Sequence, residues 1–105
     1  MEFNKRRITF PESVLLRPAM YTMNGKFEEV LAFLIGYYSG KACLSPTPPE
    51  VLRWNEFESW LSDQLDVDDS RPWARYEKLA AQSQTPLETL ASYLKEFEDS
   101  FPPED

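Results

Sequence analysis

Apolar residues recur at helical spacing along most of this chain. The clearest run is Phe27, Val30, Leu31, Leu34, Ile35 and Tyr38, one face of a helix in which residues three and four apart are neighbours. Phe33 and Tyr37 widen that face. Asn24 and Gly25 are placed to start the helix, and Glu28 and Glu29 put anions in its first turn, where the helix dipole favours them. The pattern predicts a helix near 26–41. After the loop Leu44-Ser45-Pro46-Thr47-Pro48-Pro49, too rich in proline for a helix interior, a second helix is predicted near 49–65. It carries Val51, Trp54, Phe57, Leu61 and Leu65 on one face, Trp60 at the edge, and Glu56, Ser59 and Asp63 pointing away. Glu58 falls in its apolar sector, where a carboxylate reaches water or an arginine at the rim.

A shorter helix near 72–83 presents Trp73, Tyr76, Leu79 and Ala80 inward, with Ser70 or Asp69 as the expected cap ahead of Pro72. The last, near 86–100, opens with Thr85-Pro86-Leu87-Glu88, a capping box with proline at the first helical position, and continues with Leu87, Leu90, Ala91, Leu94, Phe97 and Phe101 on one side. Before all of these, Pro11 opens a short helix over Glu12 to Leu16, with Thr9 or Phe10 near its cap and Pro18 limiting it. Arg6 to Phe10 has the preference of a short strand but no partner strand.

The expected fold is all-α. It is a small bundle of about four helices in one domain over 1–105, with 1–25 as an N-terminal arm and short helix, irregular or extended, and 102–105 as a polar tail. The expected core is Phe27, Leu31, Leu34, Tyr38, Trp54, Phe57, Leu61, Leu90 and Leu94. Ala32, Gly36 and Gly40 recur every four residues on the other side of the first long helix. This small-residue stripe either lets another helix approach closely or forms a flat dock for a partner.

Composition narrows the chemistry. The chain contains no histidine, so neither a Ser-His-Asp nor a Cys-His pair can be built, nor a histidine-ligated metal site. Three glycines cannot supply a glycine-rich phosphate loop. The single cysteine, Cys43, is expected to be a small buried apolar residue. Asp66, Asp68 and Ser70 have the alternation of a calcium loop but lack the glycine at its sixth position. No enzyme activity, metal or cofactor is therefore expected. No apolar run is long enough to span a bilayer, and no secretory signal follows Met1, so the expected location is the cytoplasm.

Charge is placed unevenly. Residues 1–26 hold five basic residues against two acidic ones, and the remainder holds six against sixteen, for a net charge of −7. Such a body repels nucleic acid and anionic membrane and attracts a basic protein. Glu56 and Asp63 lie about two turns apart on the outer face of their helix, and Asp66, Asp68 and Asp69 follow in the next loop. These five carboxylates, with Trp60 as an aromatic anchor, are the candidate partner-binding residues.

Arg17-Pro18-Ala19-Met20-Tyr21 stands apart as an irregular segment with large side chains, expected to pack Met20 and Tyr21 over the end of the first long helix. It is followed by Phe27 to Leu34, Ile35-Gly36-Tyr37-Tyr38, and Trp54-Asn55-Glu56-Phe57 to Trp60-Leu61. Together these stretches resemble small bacterial immunity-type proteins found beside polymorphic toxins. The resemblance implies a protein that binds a toxin and blocks it, without catalytic residues of its own. A generic helical adaptor or structural subunit is the alternative, and the neighbouring gene distinguishes the two.

Overall fold

A computed structural model describes residues 8–68 and 70–102. Its helices are α1 (Phe10–Leu16), α2 (Phe27–Lys41), α3 (Pro49–Leu65), α4 (Ala74–Gln82) and α5 (Pro86–Ser100), with a 3-10 turn at Pro18–Met20. No strand occurs among the described residues. The architecture is helical as expected, with one correction. The short N-terminal helix belongs to the bundle: Val14 and Leu15 of α1 are buried, and α1 packs chiefly against α5. Of the Arg6 to Phe10 stretch, Arg6 and Arg7 lie outside the described residues, and Phe10 is the first residue of α1.

Local chemistry explains where the helices start. Thr9 caps α1 in extended conformation, and Glu12 Oε1 accepts its backbone N–H at 3.2 Å. The Thr9 hydroxyl donates to Glu98 Oε2 at 2.8 Å, tying α1 to α5. The cap of α2 is Lys26, not Asn24 or Gly25. Glu29 Oε1 accepts the N–H groups of Asn24 at 3.0 Å and Lys26 at 3.3 Å, and the Lys26 bond is the main cause holding the Glu29 carboxyl below its ordinary range. Gly25 sits at φ +67°, where a Cβ would lie 3.3 Å from the Ala19 nitrogen. At α5, Pro86 takes the first helical position, but Thr85 makes no side-chain cap. The Ser83 hydroxyl instead lies 2.7 Å from the Thr89 hydroxyl and accepts the Thr85 N–H at 3.0 Å. Helix α4 begins two residues later than expected, with Trp73 at its cap. Asp68 Oδ1 accepts the Ser70 N–H at 3.0 Å, which turns the loop ahead of it. The alternative cap Asp69 lies outside the described residues.

Helices α3 and α5 run antiparallel. Arg53 donates to the Phe101 carbonyl near one end, Phe57 meets Phe97 at 5.5 Å, and Trp60 meets Tyr93 at 6.1 Å further along. The core lies between these helices and the inner faces of α1, α2 and α4. Of the expected core set, all but Phe27 are buried; Phe27 is half-buried at the first position of α2, beside solvent. Rings touch in sequence from Tyr21 through Phe10, Tyr37 and Tyr38 to Trp54, Phe57, Phe97 and Phe101. The tightest pair is Phe10 on Tyr37, with centroids 4.4 Å apart.

Of the two readings of the Ala32/Gly36/Gly40 stripe, close helix packing is removed: the stripe faces solvent, a Cβ at Gly36 or Gly40 would meet nothing within 4 Å, and no helix of the described residues packs there. Three further expectations need correction. Cys43 is exposed, because α2 ends before it and it falls in the turn that follows. Trp73 is 43% exposed and Ala80 is exposed, because the later start of α4 turns only Arg75, Tyr76 and Leu79 inward. Tyr21 packs on Phe10 and Phe33 as a plug, whereas Met20 is 70% exposed.

Candidate functional site

Residues three and four apart on α3 line up along its outer side: Leu52, Asn55, Glu56, Ser59, Trp60 and Asp63. The antiparallel pairing with α5 sets Phe97 and Phe101 beside them. The result is an open groove of about 560 Å³ with an apolar floor. Leu52 is 54% exposed and Phe101 49% exposed. Trp60 is half-buried, its ring 5.6 Å from Phe97 and 6.2 Å from Phe57, so it is fixed from behind and open in front. Arg53 borders the groove, with its guanidinium 4.6 Å over the Phe97 ring and a hydrogen bond to the Phe101 carbonyl.

Three of the six expected partner-binding residues, Glu56, Trp60 and Asp63, line this groove, with both carboxylates exposed. Asp66 and Asp68 are exposed in the following loop but do not line it, and Asp69 lies outside the described residues. Asp66 closes α3 in the left-handed region at φ 55°, and the Lys78 ammonium lies 3.5 Å from its carbonyl. Asp63 stands in the last turn of α3, which carries no basic residue. An anion there opposes the negative end of the helix dipole, so local helix stability does not explain it.

Sequence reasoning missed Leu52, Asn55, Ser59, Phe97 and Phe101. The first three share the helical stripe of Glu56 and Trp60 and were readable from spacing. Phe97 and Phe101 are legible only as part of the apolar face of the last helix, since nothing local shows where α5 crosses α3.

A second polar cluster lies between α3 and α4. Arg75 Nη1 is 3.3 Å from Glu58 Oε2, Arg75 Nε donates to Ser62 Oγ at 2.7 Å, and Arg75 Nη1 donates to the Pro72 carbonyl at 3.0 Å. The Tyr76 hydroxyl donates to the same Glu58 oxygen at 2.7 Å. Burial first, and Glu58 next, push the Tyr76 phenol well above its ordinary pKa, so it remains a donor. Ser62 and Arg75 are buried under the helix pair, so the cluster joins two helices and offers no substrate access. Glu58 thus meets the arginine expected of it at the rim.

Among the described residues, no group of three His, Cys, Asp or Glu side chains is placed to hold a metal ion, and no helix is long and apolar enough to cross a membrane. Comparison with known protein families, curated protein sequences and solved structures finds no match to this chain.

Proposed function

We propose that this chain is an immunity-type protein that inhibits a basic toxin domain by binding it at the α3–α5 groove. The observation that carries this reading is the coincidence on one open groove of an apolar floor, a half-buried tryptophan and the exposed carboxylates Glu56 and Asp63. Half-buried tryptophan is a favoured interface anchor, and charges at its rim steer a partner of opposite sign. The net charge of −7 acts in the same direction at longer range. An enzyme acting on phosphates attracts anions by design, so its active-site face is a natural target for such a surface. The reading needs no catalytic group, metal, nucleic acid or membrane in the chain itself, and it places the protein in the cytoplasm with the toxin it blocks.

The test begins with the gene beside the one encoding this chain. Its product should be toxic when expressed alone and harmless when co-expressed with this protein, with the two purifying as a complex. A variant carrying Glu56→Gln, Asp63→Asn, Asp66→Asn and Asp68→Asn should associate about tenfold more slowly at low salt, with the gap closing as salt rises. A correctly folded variant with an unchanged rate moves the contact away from these acids. A non-toxic neighbour, or a partner with an acidic contact face, leaves only a generic helical adaptor.

A further inference from the structure

The groove also constrains the shape of what fills it. Resting on the proposal that the groove is the binding site, we infer that its occupant is a cationic amphipathic helix of the partner, lying along α3 with basic residues two turns apart. Three observations lead there. First, the floor is made by Leu52, Trp60, Phe97 and Phe101, with no sheet edge beside it among the described residues. An extended segment laid on that floor finds no strand edge with which to pair its backbone N–H and C=O groups. A helix satisfies those groups internally and offers its apolar ridge to the floor.

Second, the carboxylates have a helical repeat. Glu56 and Asp63 are separated by two turns of α3, about 10 Å along its axis, with Trp60 between them. A helix lying along α3 has the same rise. Lysine or arginine at positions i and i+7 therefore meets both carboxylates, and apolar residues at i+3 and i+4 meet Trp60.

Third, the charge disfavours the nearest competing occupant. A second copy of this chain would bring the same acidic rim, and a net −7, against itself. Asp63, set against the dipole in a last turn that lacks any basic residue, gains its counter-charge from the occupant.

The probe is a fluorescein-labelled, side-chain-stapled helix of about four turns, with arginine at i and i+7 and leucine at i+3 and i+4. Its anisotropy is titrated with the intact protein at low salt. Binding should saturate, weaken about threefold to thirtyfold for the Glu56→Gln/Asp63→Asn variant, and weaken at least as much for Leu52→Asn. Leu52 is more than half exposed, so this variant keeps the fold even if Trp60→Ala, which undercuts the Phe57 and Phe97 contacts, does not. A peptide with glutamate at both arginine positions should not bind. Absence of saturable binding overturns the inference. So does equal binding by an unstapled, proline-interrupted peptide of the same composition, or indifference to all three groove substitutions. A toxin blocked without any stapled-helix binding sinks this inference alone. Helix binding with no toxin beside the gene sinks the toxin reading alone.

Discussion

Arg75 is only 5% exposed, and a charge so deeply placed is costly unless it is paired and hydrogen-bonded. Here Glu58, Ser62 and the Pro72 carbonyl all meet the guanidinium, and Tyr76 completes the Glu58 carboxylate. Removing one partner of such a cluster leaves the others buried and under-satisfied, which costs more than the pair contributes. Arg75→Ala should therefore destabilise the fold by about 3 kcal/mol in urea unfolding. Arg71→Ala should stay within about 0.5 kcal/mol, because the Arg71–Glu77 pair is exposed on both sides. Equal effects for the two would remove the cluster from the list of structural supports. The rim position of Glu58 was legible from helix spacing, but its partner Arg75 on the next helix was not, because the partner is chosen by how α4 crosses α3.

At the scale of elements, α2 shows how a helix face read from spacing can be assigned to the wrong environment. Its large apolar face was legible, and Val30, Leu31, Leu34 and Tyr38 are buried. The small-residue stripe opposite suggested close helix packing as readily as a dock, but Gly36 and Gly40 have open space where a Cβ would stand. Gly36→Ala should therefore stabilise the protein by about 0.5–1 kcal/mol, since alanine loses less backbone freedom in a helix. Gly25→Ala should destabilise it by about 1–2 kcal/mol, because φ +67° disfavours an L side chain and the Ala19 backbone is near. Both shifts are read from urea midpoints. A destabilising Gly36→Ala would mean that something covers the stripe in solution. Helix starts were only half legible for a related reason. Thr9 caps α1 and Pro49 and Pro86 open their helices as their positions require, whereas Thr85 loses its capping role to a neighbouring Ser83–Thr89 contact that the sequence pattern does not rank.

For the whole molecule, the same acidity has two opposite consequences. A net charge of −7 strains the compact state through self-repulsion, and it attracts cationic molecules from a distance. Raising ionic strength shortens the Debye length to about 8 Å at physiological salt, which weakens both effects. Added sodium chloride should raise the urea midpoint of the free protein while slowing association with a cationic probe. A fold weakened by salt would show that specific ion pairs, not self-repulsion, dominate its electrostatics. The acidic imbalance is plain in the sequence. That two of these carboxylates, Glu56 and Asp63, border an apolar groove appears only when α5 is laid antiparallel on α3 and brings Phe97 and Phe101 beside Trp60.

The sequence by itself determined the helices and their inward faces, because backbone geometry makes residues three and four apart neighbours in any helix. It also determined the absence of histidine chemistry and the excess of negative charge. Tertiary structure decided the rest. It made α1 part of the core, left the glycine stripe and Cys43 in solvent, paired Arg75 with Glu58, and set Phe97 and Phe101 beside the outer stripe of α3. Each of these depends on which element packs against which. Burial is a property of two surfaces, and a local pattern describes only one of them.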